Sequence, residues 1–355
     1  MTTSELRIDT TGGPAAAAWR SPFPLTFYGI RESRPGPEWR ALFDTTWPAY
    51  RRWYLSDGAT ARPSVATGLR KLRGHMPELV PTWERLVELA DDETAAAMLT
   101  LWSPPAVLPG CSQAVLIEDE PLLVRNYDFR PDMFERVVMS TQLEGRRVIG
   151  SSDCLWGLVD GMNDAGLAVS IALGGRRKVA EGFGIPLVVR YLLEVCATRG
   201  DVRNALHGMP VAMAYNVTVV DASGDAATFF VSPEERPEEY DARVATNHRG
   251  RVPEDPLHAA RVHSVERKDY LERALEHRLD QEGLIRAFLR APLYNDRYAH
   301  GFGTLYTAAY RPTRGVVDYL WPTSTWRRDY DSPSGSHEAV LGVRPRDTHP
   351  GWLVK

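Results

Sequence analysis

Residues 109–129 read PGCSQAVLIEDEPLLVRNYDF. Two apolar runs flank an acidic turn at Glu118–Pro121, which is the pattern of a β-hairpin. Cys111 directly follows a Pro-Gly turn and enters a strand, where the backbone is expected to be sharply bent and exposed. Arg125 and Asp128 lie on the returning strand and fold back beside Cys111. Strand alternation places positions 125 and 128 on opposite faces. A twist or bulge at the strand end is therefore needed to bring both to one site.

Upstream of this hairpin the texture is different. Residues 1–35 are rich in Gly, Pro, Thr and Ala and read as a loose arm with one extended piece near Phe27–Ile30. From Gly36 to about Trp102 the period is helical, with Trp39, Leu42, Phe43, Trp47 and Tyr50 recurring on one face. Pro48 falls inside that stretch and is expected to kink or divide it. Pro77 and Pro81 suit the starts of further helical pieces. Trp39, Trp47, Trp53 and Trp83 read as core or subunit contacts. The run SPPAVLPG at Ser103–Gly110 stops the helices.

Downstream, strands are expected near Arg136–Ser140, Cys154–Asp160, Leu167–Ala172, Ala214–Val220, Ala226–Ser232 and Arg243–Thr246. A late hairpin covers Leu305–Tyr310 and Gly315–Tyr319. Helices are expected over Pro186–Thr198, over Asp201–His207 with Asp201 as N-cap, over Pro256–Arg278 and over Gln281–Arg290. Strands, then a helical pair, then strands again make a layered α+β fold.

Composition removes several function classes. Lys+Arg number 42 and Asp+Glu 46, for a net charge of −4. Residues 1–110 carry 12 of each sign, so neither part is a basic platform for nucleic acid. No apolar run reaches the length of a membrane span. The first residues lack a basic stretch followed by an apolar one, so no secretory leader is expected and the chain reads as cytoplasmic. The three cysteines stand 43 and 42 residues apart, which suits neither a disulfide framework nor a metal knuckle. Among nine histidines there is no HExxH, HxH or paired spacing, so no metal is expected.

With PGCSQ, RNYDF, GMNDAGLAV, VVDASGDAATFFVSPE and ATNH in this order, the sequence resembles the N-terminal-nucleophile (Ntn) cysteine hydrolases. It is most similar to the autoproteolytic acyltransferase/hydrolase family of fungal isopenicillin-N acyltransferase, with choloylglycine hydrolases, penicillin V acylases and acid ceramidase as relatives. The resemblance spans about residues 29–325. It implies an αββα four-layer sandwich and a precursor that cuts itself between Gly110 and Cys111. Residues 1–110 would then stay bound as a mainly helical small subunit, and residues 111–355 would be the catalytic large subunit, the two forming one globular unit.

The resemblance also implies roles. Cys111 would be the nucleophile, with its own α-amine as base. Arg125 would favour the thiolate, Asp128 would hold the α-ammonium, and Asn247 would donate to the oxyanion. An Arg follows the Asn-bearing strand in the family, and Arg261 and Arg267 are both candidates. The substrate would be a small-molecule amide or an acylated peptide, with no cofactor. Acyl-CoA enters as co-substrate if the protein is a transferase. A homo-oligomer stays open.

One departure stands out. Where choloylglycine hydrolases place a second oxyanion Asn, this chain has SIALGGRR, leaving that donor unidentified. Tyr127, Trp156 and His248 are weaker candidates for substrate contact, His248 alternatively bracing a loop. Plainer readings exist: a buried cysteine at 111, a structural ion pair at 125 and 128, a turn-capping Asn247. Together they would describe an uncleaved, catalytically silent protein with the same fold. Cys154 and Cys196 read as core, and Asn163 with Gly166 as a tight turn.

Overall fold

The computed structural model describes residues 21–343 apart from Glu234. The first 20 residues of the expected arm, and the start from which no leader was read, lie outside the described residues. In chain order, β1 (Phe23–Arg31) leads into α1 (Pro37–Tyr54), α2 (Val65–His75), α3 (Val80–Ala90) and α4 (Glu93–Leu99). The predicted hairpin is β2 (Gly110–Ile117) and β3 (Pro121–Phe129). Then come β4 (Val137–Thr141), β5 (Val148–Asp153), β6 (Gly157–Asn163), β7 (Ala168–Leu173), α5 (Ile185–Val195) and α6 (Arg199–Leu206). They are followed by β8 (Tyr215–Val220), β9 (Ala226–Val231), β10 (Glu238–Tyr240) and β11 (Val244–Ala245). The chain closes through α7 (Pro256–Arg261), α8 (Ser264–Glu276), α9 (Gln281–Phe288), β12 (Gly303–Arg311), β13 (Val316–Trp321), β14 (Ser324–Asp329) and β15 (Gly335–Leu341).

The strands form two sheets. One has nine strands in the order β10-β9-β8-β7-β6-β5-β4-β1-β15, and the other six in the order β11-β2-β3-β12-β13-β14. Phe27, Ile149, Met162 and Ala168 of the first meet Cys111, Val115, Tyr127 and Tyr306 of the second in one apolar layer. Helices α1–α6 cover the outer face of the nine-stranded sheet through Trp39, Leu86, Leu99, Val188 and Leu206. Helices α8 and α9 cover the six-stranded sheet, with Leu271, Leu284 and Phe288 against Ala114, Leu122 and Val124. The architecture is the expected αββα sandwich.

The front helices are bonded to the rest of the chain. Trp39 Nε1 donates to the Leu155 carbonyl at 2.8 Å. The hydroxyl of Tyr50 lies 2.5 Å from Oε1 of the buried Glu135 and 3.0 Å from Asp153 Oδ1, both beyond the β2–β3 hairpin in sequence. Pro48 does not divide α1, which runs through it as one helix.

Other expectations are corrected. The strand expected from Cys154 begins at Gly157, because Cys154 and Leu155 sit at φ 58° and 73° in a turn. Thr198, not Asp201, caps α6. Asp201 is the third residue of a reciprocal capping box whose two bonds satisfy both ends of the turn. The helix expected over 256–278 is broken at His263, which adopts a left-handed φ of 51°. β5, β10, β14 and β15 were not anticipated. Among the described residues, no helix is long and apolar enough to cross a membrane.

The Tyr50 contact carries a pH prediction. One phenol proton cannot serve two carboxylates. Burial, reinforced by the Asp153 carboxylate, pushes Glu135 up to about 7 from an ordinary 4.5. Between those values the folded protein holds a proton that the unfolded chain has released, so stability falls as pH rises. Thermal midpoints of the native chain should decline across that window, and Glu135→Gln should flatten the decline. Parallel curves for the two proteins would refute this.

Candidate active site

Gly110 opens β2 because nothing larger fits: a Cβ there would run into the Phe302 ring and sit 3.3 Å from the Asp128 Cβ. Cys111 pairs with Tyr127, and Gln113 with Arg125, in an unshifted β2–β3 register. Alternation therefore sends Cys111, Arg125 and Tyr127 into the layer between the sheets, and Ser112, Asn126 and Asp128 toward α8 and α9. No bulge in β3 brings residues 125 and 128 to one face. They flank Cys111 from opposite sides of the same hairpin.

On the inner side, Arg125 Nη2 donates to Cys111 Sγ at 3.2 Å. Its Nη1 is held by Asp160 Oδ2 at 2.6 Å and by the Val159 carbonyl. The guanidinium lies over the Tyr127 ring, 4.8 Å from its centre. On the outer side, Arg267 Nη1 donates to Ser112 Oγ at 2.6 Å and reaches Asp128 Oδ2 at 3.3 Å. Its Nη2 donates to Asn247 Oδ1 at 2.8 Å. Thr304 Oγ1 completes the cradle by donating to Asp128 Oδ1 at 2.7 Å.

Asn247 joins the two sides. Its Oδ1 accepts the Cys111 backbone N–H at 2.9 Å as well as the Arg267 bond, which fixes the orientation of the amide. The Nδ2 is thereby left buried with no partner among the described residues. The flanking backbone is clamped by Asn216 Nδ2, which donates to the Thr246 carbonyl at 2.9 Å and the His248 carbonyl at 3.1 Å. A buried N–H without an acceptor is uncommon in a folded chain and marks a place where one is missing.

Burial pushes the Cys111 thiol up, and Arg125 offsets only part of that. Burial also pushes Asp128 up and Arg267 down, and their mutual contact limits both shifts. Among the described residues, no three His, Cys, Asp or Glu side chains gather to hold a metal ion.

Of the sequence candidates, the structure unites Gly110, Cys111, Arg125, Tyr127, Asp128, Asn247 and Arg267. Of the two arginines, Arg267 is buried in the cradle, whereas Arg261 is exposed. Trp156 is not in the site. It is packed in the outer core with its Nε1 on the Leu99 carbonyl at 3.0 Å. His248 is a brace, its Nδ1 2.7 Å from Ser264 Oγ at the start of α8, and burial lowers it to about 4. Asp160, Asn216 and Thr304 were missed. The readable signal for the first two was a polar side chain inside an otherwise apolar strand, in LVDGM and AYNVT.

Space near the thiol is narrow. A cavity of about 50 Å³ is lined by Tyr127, Val159 and Tyr215, and by Pro104, Pro105, Val107 and Pro109 of the segment leading to Gly110. It abuts a groove of about 390 Å³, with Trp53, Val107, Asp153 and Cys154 in the shared wall.

Comparisons with known proteins add a family. The family described as acyl-coenzyme A:6-aminopenicillanic acid acyl-transferase matches residues 115–326, more than half of the chain. The match includes Arg125, Asp128, Asn247 and Arg267. No curated protein matches the sequence. A mutant conjugated bile acid hydrolase from Clostridium perfringens aligns with a TM-score of 0.45 at 12% identity, covering 68% of this chain and 100% of that one. Penicillin V acylase from Agrobacterium tumefaciens aligns at 0.41 and 14% identity, covering 62% and 86%. A Caenorhabditis elegans ortholog of N-acylethanolamine-hydrolyzing acid amidase aligns at 0.42 and 14%, covering 57% and 93%.

Because Arg267 and Asp128 are 2% and 1% exposed, removing one strands the other. Arg267→Met should lower unfolding free energy by about 3–5 kcal/mol in urea titration. A loss below about 1 kcal/mol, the range of exposed pairs, would show that the cradle is not structurally coupled.

Proposed function

This chain belongs to the acyl-coenzyme A:6-aminopenicillanic acid acyl-transferase family, and we propose that its amide-acting chemistry runs through Cys111 after a self-made cut between Gly110 and Cys111. The observation that carries this reading is the buried, unpartnered Nδ2 of Asn247, on the side chain whose Oδ1 holds the Cys111 nitrogen. A free donor beside a nucleophile, with Arg125 on the thiol, is what acyl transfer needs.

The cut comes first. Cys111 Sγ attacks the Gly110 carbonyl, forming a C–S bond, and the C–N bond breaks as the departing nitrogen takes a proton. Water then hydrolyses the thioester, leaving a Gly110 carboxylate and a free Cys111 α-amine. That amine, ordinarily of pKa about 7.7–8.0, takes the thiol proton in the next reaction. The thiolate, steadied by Arg125, attacks a substrate amide. Asn247 Nδ2 donates to the oxyanion, and the leaving amine takes the proton back. Water or an acceptor amine releases the acyl group from Cys111. Asp128, through Arg267 and Thr304, holds the new ammonium side of the site.

On this reading, residues 1–110 become a small subunit that stays docked, and residues 111–355 a large one. The substrate is a small-molecule amide or acylated peptide. Acyl-CoA is the acyl donor in the transferase direction. Two tests follow. Denaturing intact mass should show fragments of about 12 and about 27 kDa, the shares of 110 and 245 residues in 39.7 kDa. Cys111→Ala should stay whole and inert. A native chain found whole at 39.7 kDa would favour the silent, uncleaved alternative. In the cut enzyme, Asn247→Leu should reduce kcat by about 10²–10³-fold, with KM changed far less. An unchanged kcat would remove Asn247 from the oxyanion role.

A further inference from the structure

Nη1 and Nη2 of an arginine are chemically alike, so which of them meets Cys111 is decided by what holds the rest of the guanidinium. In this protein Nη1 is held by β6 of the opposite sheet, through the Val159 carbonyl and the Asp160 carboxylate, the one side-chain partner of the two. Asp160 Oδ2 accepts from Arg125 Nη1 at 2.6 Å and from the Tyr306 hydroxyl at 2.6 Å, and its Oδ1 accepts from the Tyr310 hydroxyl. Tyr319 backs Tyr310 at 3.0 Å and lies 3.3 Å from the Ser151 hydroxyl. Asp160 and Arg125 are both fully buried.

The consequence is directional. The planar fork of Arg presents Nε–H and one Nη–H₂ along a common edge. With Nη1 on Asp160, Nη2, on the edge it shares with Nε, is left to meet Cys111. Nη2 occupies the thiol, and Nε has no partner among the described residues. We propose that Asp160 is a positioning residue for Cys111, locking Arg125 in the one orientation that turns this edge to the nucleophile. The proposal rests on Cys111 being the nucleophile.

The alternative role for Asp160 is charge compensation alone, and it predicts the opposite sign. If Asp160→Asn left Arg125 in place, losing a nearby negative charge would favour the thiolate and lower the thiol pKa. If Asp160 positions Arg125, the guanidinium leaves Sγ and the thiol pKa rises.

The experiment measures the pH dependence of Cys111 alkylation by iodoacetamide in the full protein, read on the Cys111 peptide by mass spectrometry. Asp160→Asn should move the inflection upward by about one unit, a tenfold loss of thiolate at neutrality. The kcat should fall at least as much, with KM changed less than about twofold, as for an interaction made only in the transition state. Tyr310→Phe, which removes one support and keeps the carboxylate, should move the inflection the same way by less. An unchanged or lowered inflection in Asp160→Asn, or in Tyr310→Phe where the first variant does not fold, overturns the proposal. Cys111→Ala with undiminished turnover would instead sink the nucleophile assignment, while the inflection would still report on Asp160.

Discussion

The charge of Arg125 is fully buried between two sheets, and much of the structure is arranged to keep it there. Burial alone would lower its proton affinity, but the Cys111 thiol and the Asp160 carboxylate outweigh that and lift it. A buried cation of this kind is tolerable only when paired and hydrogen-bonded. The pairing is supplied from the opposite layer, so the site exists only when both sheets are packed. The thiol-bearing hairpin and the β6 strand are thereby held in a fixed relation, and the tyrosines of β12 and β13 fill the space between them.

The second feature is the use of both faces of one hairpin. Because side chains alternate, a single strand pair offers its inner face to the thiol and its outer face to the backbone nitrogen of the same residue. Arg125 works from within, through the side chain. Asp128 works from the α8 side, by way of Arg267. Asn247, arriving from β11, is the only one of these groups that touches the Cys111 nitrogen itself, and Arg267 grips the same oxygen. The nitrogen and the sulfur of one residue are thus addressed by separate polar networks on opposite sides of a sheet, which suits a residue expected to use both.

Much of this was legible in the sequence and some was not, for identifiable reasons. The β2–β3 hairpin and the opposite facing of residues 125 and 128 follow from local chemistry and period, whereas the sharply bent, exposed start expected at Cys111 is not found: Gly110 and Cys111 lie in regular strand register and Cys111 is fully buried beneath the second sheet. That Arg267 rather than Arg261 is buried in the cradle does not follow from period either. It turns on the left-handed His263, which ends one helix and resets the phase of the next, and nothing in periodicity announces that break. Trp156 was a candidate for substrate contact, yet its turn points it outward to the Leu99 carbonyl of α4. β15 pairs with β1 from the far end of the chain, and β14 alternates polar residues at a sheet edge, so neither carries a strong local signal. Asp160 was visible as a charge in an apolar strand, but its partner across the sheets was not.

The continuous chain contains its own obstruction. The thiol is fully buried, and the cavity of about 50 Å³ lined by its strand partner Tyr127 is far smaller than the ~300–1,000 Å³ of ordinary ligand pockets. Its walls include Pro104, Pro105, Val107 and Pro109; just upstream, the Ser103 N–H donates to the Gly182 carbonyl at 2.7 Å and the Ser103 carbonyl accepts from Arg62 Nη1 at 3.1 Å, beside a bridge from Trp102 to Phe183. While Gly110 is bonded to Cys111, that segment is tied at both ends and the Cys111 nitrogen is an amide, which cannot act as a base. Breaking the one bond changes both conditions. It turns the amide into an amine next to Asn247 and Arg267, and it removes the covalent tie at the downstream end of the proline segment, against the wall shared with the 390 Å³ groove. On the proposed mechanism, a single covalent event therefore supplies the base and unties the segment that narrows the space, which is why the residues preceding Cys111 matter to the chemistry as much as those that follow it.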